Sequence, residues 1–261
     1  MENGREQNAE DFYDAIAEKY DGMFAFESRL GRAQRFLGKL LAQVETASAL
    51  DVGCGTGAYA LAGARAGLET TGTDISEAML TQARNNAARL GIDVNWRQAD
   101  MLELPRIFSG ATPASTNFDL ILCMGNTLPH LLSLDSLAQT LAGFSKLLNS
   151  PGHLVLHLLN YEKILAGQER IVGISQGGQS EYIRFYDFID PLVRFNLLEI
   201  DHSQKPPTHL LHETTLRPHT AEQLQDILTS QDFKKIETFD GLNFSPYNSA
   251  NSDTLLIIAT K

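Results

Sequence analysis

An α/β fold, with a mostly parallel sheet covered by helices on both faces and an antiparallel sheet inserted into it, is predicted by three observations. Apolar runs of strand length alternate with amphipathic helical stretches through residues 45–160. A glycine cluster stands where the first of those runs gives way to a helix. Beyond residue 180, three consecutive β-like runs break the alternation, as an antiparallel insertion would.

Each element has a local reason. Residues 11–24 place Phe12, Ile16, Tyr20 and Met23 on one helical stripe, and 30–44 do the same with Phe36, Leu37, Leu40 and Leu41. Residues 49–52 form a short apolar strand that ends at Gly53. Residues 58–66 are helical and stop at Gly67, and 68–73 form the next strand. Ser76 caps a helix carrying Met79, Leu80, Ala83, Ala87 and Leu90, with Gly91 behind its end. Residues 94–97 are a strand. Residues 118–124 form a near-continuous apolar strand, as expected when both sheet faces are covered. A helix over 137–148 and a strand over 153–158 flank the Pro151-Gly152 turn. Residues 165–180, with Gly167, Gly173, Gly177 and Gly178, read as a mobile loop over the site. The antiparallel runs are 181–189, 192–202 and 208–217, separated by Asp190-Pro191 and by a turn at 203–207. Thr220 caps a helix to Leu228, and strands at 233–239 and 254–259 rejoin the main sheet. The expected organisation is a helical segment over 1–46 that closes on the site, a core of 47–160 and 218–261, and an inserted substrate or lid subdomain over 161–217.

Composition narrows the function. The 261 residues are 43% hydrophobic and 20% charged, which suits a chain with a sizeable core. The net charge of −11 argues against a phosphate backbone as partner. No apolar run reaches the ~18 residues of a membrane span, and residues 1–14 are polar and acidic, unlike a secretory leader. A cytoplasmic location with two buried thiols, Cys54 and Cys123, is the expectation. No metal site is expected: His209 and His212 would point to opposite faces of one strand, and His202 adds no ligand geometry.

The chemistry concentrates after strand ends, where open α/β sheets bind ligands. In Asp51-Val52-Gly53-Cys54-Gly55-Thr56-Gly57 the glycines allow close backbone approach to a ligand. The spacing is G-x-G-x-G, not the dinucleotide G-x-G-x-x-G, and no Gly-Lys-Ser/Thr follows. Asp74, 21 residues after Gly53, ends the second strand, where a carboxylate can accept both ribose hydroxyls of an adenosine. Asp100 can read an adenine amino group while Met101 packs on the ring.

Together with Phe118-Asp119-Leu120-Ile121-Leu122-Cys123, these segments resemble the class I S-adenosylmethionine-dependent methyltransferases over roughly residues 45–160 and 218–260. The resemblance implies a Rossmann-like, seven-stranded sheet with a reversed last strand. It also implies S-adenosyl-L-methionine as cofactor and S-adenosyl-L-homocysteine as product. By motif position Gly53, Cys54, Gly55 and Gly57 would wrap the methionine end. Asp74 with Ile75 would take the ribose, and Asp100 with Met101 the adenine. Residues 123–131 and 160–165 resemble the glycine N-methyltransferase group, which carries an antiparallel sheet after the fifth strand. That likeness implies Tyr20, Met124 and His130 near the cofactor and Asn126 near the acceptor. An arginine, Arg32 or Arg29, would face the cofactor carboxylate. One position departs: where the glycine enzymes carry an arginine before Asn-Tyr, this chain has Leu159, so a larger or less anionic acceptor than glycine is expected.

Methyl transfer from a sulfonium needs desolvation and alignment more than activation. His130, His157 and Tyr161 are base candidates near strand ends, and Asn126, His130 and Tyr161 form the candidate catalytic set. Tyr182, Arg184 and Tyr186 alternate onto one aromatic-cationic face of the inserted sheet, and Asn196 and His212 are expected to share it. The sequence reads as a methyltransferase of a small-molecule acceptor, an amine first, with oxygen or carbon acceptors or a non-catalytic nucleotide-binding protein as alternatives. A nicotinamide dehydrogenase is disfavoured by the glycine spacing and by Asp100-Met101. A nucleic-acid methyltransferase is disfavoured by charge and by Met-Gly-Asn-Thr-Leu after the fourth strand.

Overall fold

The computed structural model describes residues 8–109 and 117–261; the first seven residues of the acidic N-terminal stretch and 110–116 lie outside it. Two helices open the described chain, α1 (Ala9–Met23) and α2 (Phe26–Leu41). The α/β alternation follows as β1 (Ser48–Val52), α3 (Ala58–Arg65), β2 (Glu69–Asp74), α4 (Glu77–Leu90), β3 (Asn95–Gln98), α5 (Leu104–Ser109), β4 (Phe118–Cys123), α6 (Leu134–Leu147) and β5 (Leu148–Leu159). Caps set the helix starts as read from the sequence: Ser76 Oγ accepts from the Met79 N–H at 3.0 Å, and Thr220 Oγ1 from the Gln223 N–H at 3.2 Å.

Next come α7 (Tyr161–Gly167), β6 (Ile171–Gly177), β7 (Ser180–Ile189), β8 (Leu192–Asp201) and β9 (Thr208–Leu216). The chain closes with α8 (Ala221–Ser230), β10 (Lys235–Asp240), β11 (Ser245–Pro246) and β12 (Thr254–Thr260). The main sheet runs β11-β10-β12-β5-β4-β1-β2-β3. β12 is antiparallel to both neighbours, which is the reversed strand expected. The two-residue β11 makes eight strands, one more than expected. Leu137, Leu141, Phe144, Leu224 and Leu228 from α6 and α8 bury one face of the sheet. Phe36, Leu37, Leu61 and Ala87 from α2, α3 and α4 bury the other.

The separate antiparallel sheet runs β6-β7-β8-β9. The expected loop over 165–180 is therefore mostly α7 and an edge strand. Its glycines suggested a loop, but Ile171, Val172 and Ile174 favour extended backbone. Register also corrects the expected acceptor face. Tyr186 pairs with Phe195, and Arg184 with Leu197, which pairs with His212. Arg184, Tyr186 and His212 share one face, whereas Asn196 points to the other and donates to Asp187 at 3.0 Å.

Helix α1 lies between the two sheets. Phe12, Ile16 and Ala17 cover Tyr182 and Leu197 of the antiparallel sheet, with Met79 of α4 in the same cluster. Its Lys19 reaches the buried Glu199 at 2.6 Å.

Candidate active site

A cavity of about 350 Å³ opens above the ends of β1, β2 and β4. Its floor is the turn after β1. Gly53 has φ +65°, and a Cβ there would lie 2.3 Å from Thr127 Cγ2; Gly55 has φ +54°, and a Cβ would project into open space. Both conformations are costly for any other residue. Gly57 does not line the cavity. Its absent Cβ makes room for the Trp96 ring, 2.6 Å away, so its part is to let α3 pack on the sheet.

Asp74 forms one side wall and is 7% exposed. One carboxylate oxygen accepts from the Gly55 N–H at 2.7 Å and the other from the Ser76 N–H at 3.0 Å. The Ile75 N–H adds a third backbone donor, and an ionised carboxylate offers about four acceptor sites, so capacity remains for a ligand hydroxyl. Burial pushes the Asp74 carboxyl above its ordinary range. Behind it Asp51 is raised to about 7, also by burial, while accepting from the Ala60 N–H at 2.9 Å. Ile75, Ala99, Met101 and Leu102 make an apolar slot beyond Asp74, with Asp100 at its mouth.

The opposite wall is aromatic. Tyr13 and Tyr20 hang from α1, and the Tyr13 hydroxyl meets His130 Nε2 at 3.1 Å. Burial lowers the pKa of His130, and of His157 on β5, to about 4. Both rings are therefore neutral at physiological pH. The Nδ1 atoms of both are buried with no hydrogen-bond partner among the described residues.

The two arginine alternatives separate here. Arg29 is committed: it donates to Asp21 at 2.5 Å and Thr56 at 2.8 Å, and lies 4.9 Å over the Tyr20 ring. Arg32 also lines the cavity and makes only a 3.4 Å contact with Ser28 among the described residues. It is the guanidinium left for a carboxylate.

Of the predicted cofactor residues, Tyr20, Arg32, Gly53, Cys54, Gly55, Asp74, Ile75, Asp100, Met101, Met124 and His130 line the one cavity. The base candidate His157 lines it too, whereas Gly57, Asn126, Tyr161, Tyr182, Arg184, Tyr186 and Asn196 are not part of its wall. Tyr161 is 0% exposed and accepts from Asn126 Nδ2 at 2.9 Å, while Asn126 Oδ1 accepts from the Leu159 N–H at 3.1 Å. Burial raises the Tyr161 pKa, which keeps this hydroxyl protonated. Asn126 and Tyr161 hold the ends of β4 and β5 together. Tyr182 is buried beneath α1, and Tyr186 packs with Val193 and Leu216.

Sequence reasoning missed Tyr13, Asp51, Tyr59 and Leu242 on the wall. Tyr13 was readable, because it stands seven residues before Tyr20 on the same helical face. Leu242 follows β10, and nothing local foretells its arrival.

The residues fit the cofactor implied by the resemblance. The open space at Gly55, the spare acceptor capacity of Asp74, the apolar slot and the unpaired Arg32 match, in order, a close-lying chain, a diol, a purine and a carboxylate.

Residues 49–152 match the family model described as a methyltransferase domain. The glycine/sarcosine N-methyltransferase of Halorhodospira halochloris is 27% identical over 97% of this chain and 89% of its own length. The ubiquinone biosynthesis O-methyltransferase of Alkalilimnicola ehrlichii is 30% identical over 58% of this chain and 59% of its own. A crystal structure of an S-adenosylmethionine-dependent methyltransferase from Clostridium acetobutylicum superposes with a TM-score of 0.78. It covers 95% of this chain and 98% of the other at 17% identity, a likeness of fold.

Proposed function

We propose that the chain, which belongs to the class I S-adenosylmethionine-dependent methyltransferases, methylates the nitrogen of a small-molecule amine. The observation that carries this reading is the cavity wall facing the glycine turn: tyrosines and neutral histidines with no imidazolium charge. When bound, S-adenosylmethionine supplies a methyl group already activated on a sulfonium. The chain's residues have three tasks around it. Arg32, Asp74 and Asp100 bind its polar ends. Neutral His130 and His157 line the cavity without repelling a cationic donor, and the Tyr13 and Tyr20 rings offer π-faces to an amine or a sulfonium. Helix α1 keeps water from that space by burying Phe12 and Ile16 against the antiparallel sheet. An amine that enters unprotonated needs no base, which agrees with Tyr161 being held protonated.

The relatives support nitrogen over oxygen as the accepting atom. The likeness to the N-methyltransferase runs through the antiparallel sheet, whereas that to the O-methyltransferase spans little more than half of either chain. Incubation with S-adenosylmethionine and a panel of primary and secondary amines, read by mass spectrometry, tests the reading. N-methylated products are expected. Methylation confined to phenols or alcohols would overturn it.

A further inference from the structure

We propose that Arg184 anchors an anionic group of the acceptor, and that the acceptor is an amine whose carboxylate stands several bonds from its nitrogen. This rests on the N-methylation reading above and extends it to a substrate class.

Among the described arginines without an ion pair, only Arg184 has a buried Nε with no hydrogen-bond partner. The chain has 32 acidic residues to 21 lysines and arginines, so carboxylates are plentiful. On the same subdomain Arg170 pairs with Asp187, and Lys19 of α1 pairs with Glu199. Arg184 pairs with none among the described residues, and its Nε is buried without a hydrogen-bond partner. A half-buried cation left without an anion is costly, and a ligand anion would remove that cost.

Its surroundings hold it in place. Gly173 on the edge strand β6 is its cross-strand neighbour, and a Cβ on Gly173 would fall 2.3 Å from Arg184 Nη2. The guanidinium therefore lies across the space a side chain would fill. Its other neighbour is Phe24, just past α1, whose ring centroid is 5.4 Å from Arg184 Cζ. Phe24 in turn lies 4.7 Å from the Tyr20 ring, and Tyr20 lines the cavity. One aromatic pair thus separates Arg184 from the cofactor space.

Position sets the length of the acceptor. The leucine at 159, at the end of β5, offers no charge to a carboxylate. Arg184 itself does not line the cavity: its Cζ lies 5.4 Å from the Phe24 ring, which is 4.7 Å from the Tyr20 ring on the cavity wall. An anion on Arg184 therefore stands an aromatic pair away from the cofactor space, which fits an ω-amino acid rather than glycine.

The test uses full-length protein loaded with S-adenosylhomocysteine and titrated calorimetrically with glycine, aminobutanoate, ω-aminohexanoate and hexylamine. The ω-aminohexanoate is expected to bind at least tenfold more tightly than hexylamine or glycine. Arg184→Met should abolish that advantage. Gly173→Val, which displaces the guanidinium but keeps its charge, should do the same. Both variants should keep wild-type affinity for S-adenosylhomocysteine, which shows that they are folded. A carboxylate advantage that is absent, or that survives both substitutions, overturns the anchor. Methyl transfer to the same probes is measured in parallel. Arginine-dependent binding without transfer would sink the N-methylation reading and leave the anchor. Transfer without carboxylate preference would do the reverse, and no binding by any probe would overturn both.

Discussion

Asp74→Asn keeps the size of the side chain and removes its charge. In the wild type this carboxylate accepts from the Gly55, Ser76 and Ile75 N–H groups, and its remaining acceptor capacity is left for ligand hydroxyls. In the asparagine variant one oxygen becomes an amide NH₂ that cannot accept from the backbone N–H it faces, and ligand hydroxyls lose their charged acceptor. Hydrogen bonds to charged groups are worth about 1.5–3 kcal/mol and neutral ones about 1, so the cofactor should bind about 2 kcal/mol more weakly, roughly thirtyfold. The same swap leaves one backbone donor of the glycine turn facing another donor, so stability should fall by about 1–3 kcal/mol. Calorimetric titration with S-adenosylhomocysteine reads the first effect, and urea unfolding reads the second. A dissociation constant within about threefold of wild type, in a variant with native near-ultraviolet dichroism, would refute the assignment of Asp74 to the diol.

Three other substitutions test different parts of the site. Gly53→Ala puts a Cβ 2.3 Å from Thr127 Cγ2 at φ +65° and should destabilise the fold by about 1–3 kcal/mol. Gly53→Ala with Thr127→Ser should recover part of the loss in thermal melts, and failure to recover would place the cost in the backbone alone. Asn126→Ala strands the Leu159 N–H and the Tyr161 hydroxyl, so urea unfolding should show a loss of about 2–4 kcal/mol; a near-neutral result would return Asn126 to the acceptor pocket. Burial lowers His130 and His157 from 6.5 to about 4 in the folded chain. The unfolded chain therefore takes up protons first as pH falls below 6.5. The stability is complete above that pH and is lost towards pH 4, by up to about 1.4 kcal/mol per pH unit for each ring. Asp51, raised to about 7, opposes one of them over the same window. His157→Leu should flatten stability against pH by about 1 kcal/mol per unit between pH 6 and 4.5, and an unchanged slope in urea titrations would contradict the burial argument.

The cofactor half of the site was legible because its signals are local. Glycine spacing, a carboxylate at the next strand end and an Asp-Met pair after the third all belong to single turns, and parallel topology brings such turns to one edge. Gly57 shows the limit of such signals: its motif position says nothing of Trp96, which packs against it from β3. The acceptor half depends on register between strands. Alternation placed Tyr182, Arg184 and Tyr186 on one face correctly, but it could not align Asn196 across the turn, and a shift of one residue reverses a side chain. The edge strand β6 was hidden by Gly173, which reads as a breaker until the guanidinium it accommodates is in view.

Helix α1 shows why one hydrophobic stripe was too simple a reading. Phe12, Ile16 and Ala17 face the antiparallel sheet. Tyr13 and Tyr20, seven residues apart, face the cavity. Asp14 and Asp21, also seven apart, face α4 and the glycine turn. Asp14 accepts from Ser76 Oγ at 2.5 Å, and Asp21 accepts from Arg29, Thr56 and Asn86. Each face answers to a different partner, so no single periodicity describes the helix. Ser76 caps α4 and donates its backbone N–H to Asp74, and Thr56 sits inside the glycine turn. The acidic face thus holds the same two turns that shape the cofactor end of the cavity, while the apolar face holds the sheet that carries Arg184. One helix fixes the spacing between the two, and that spacing decides how long an acceptor the molecule can align.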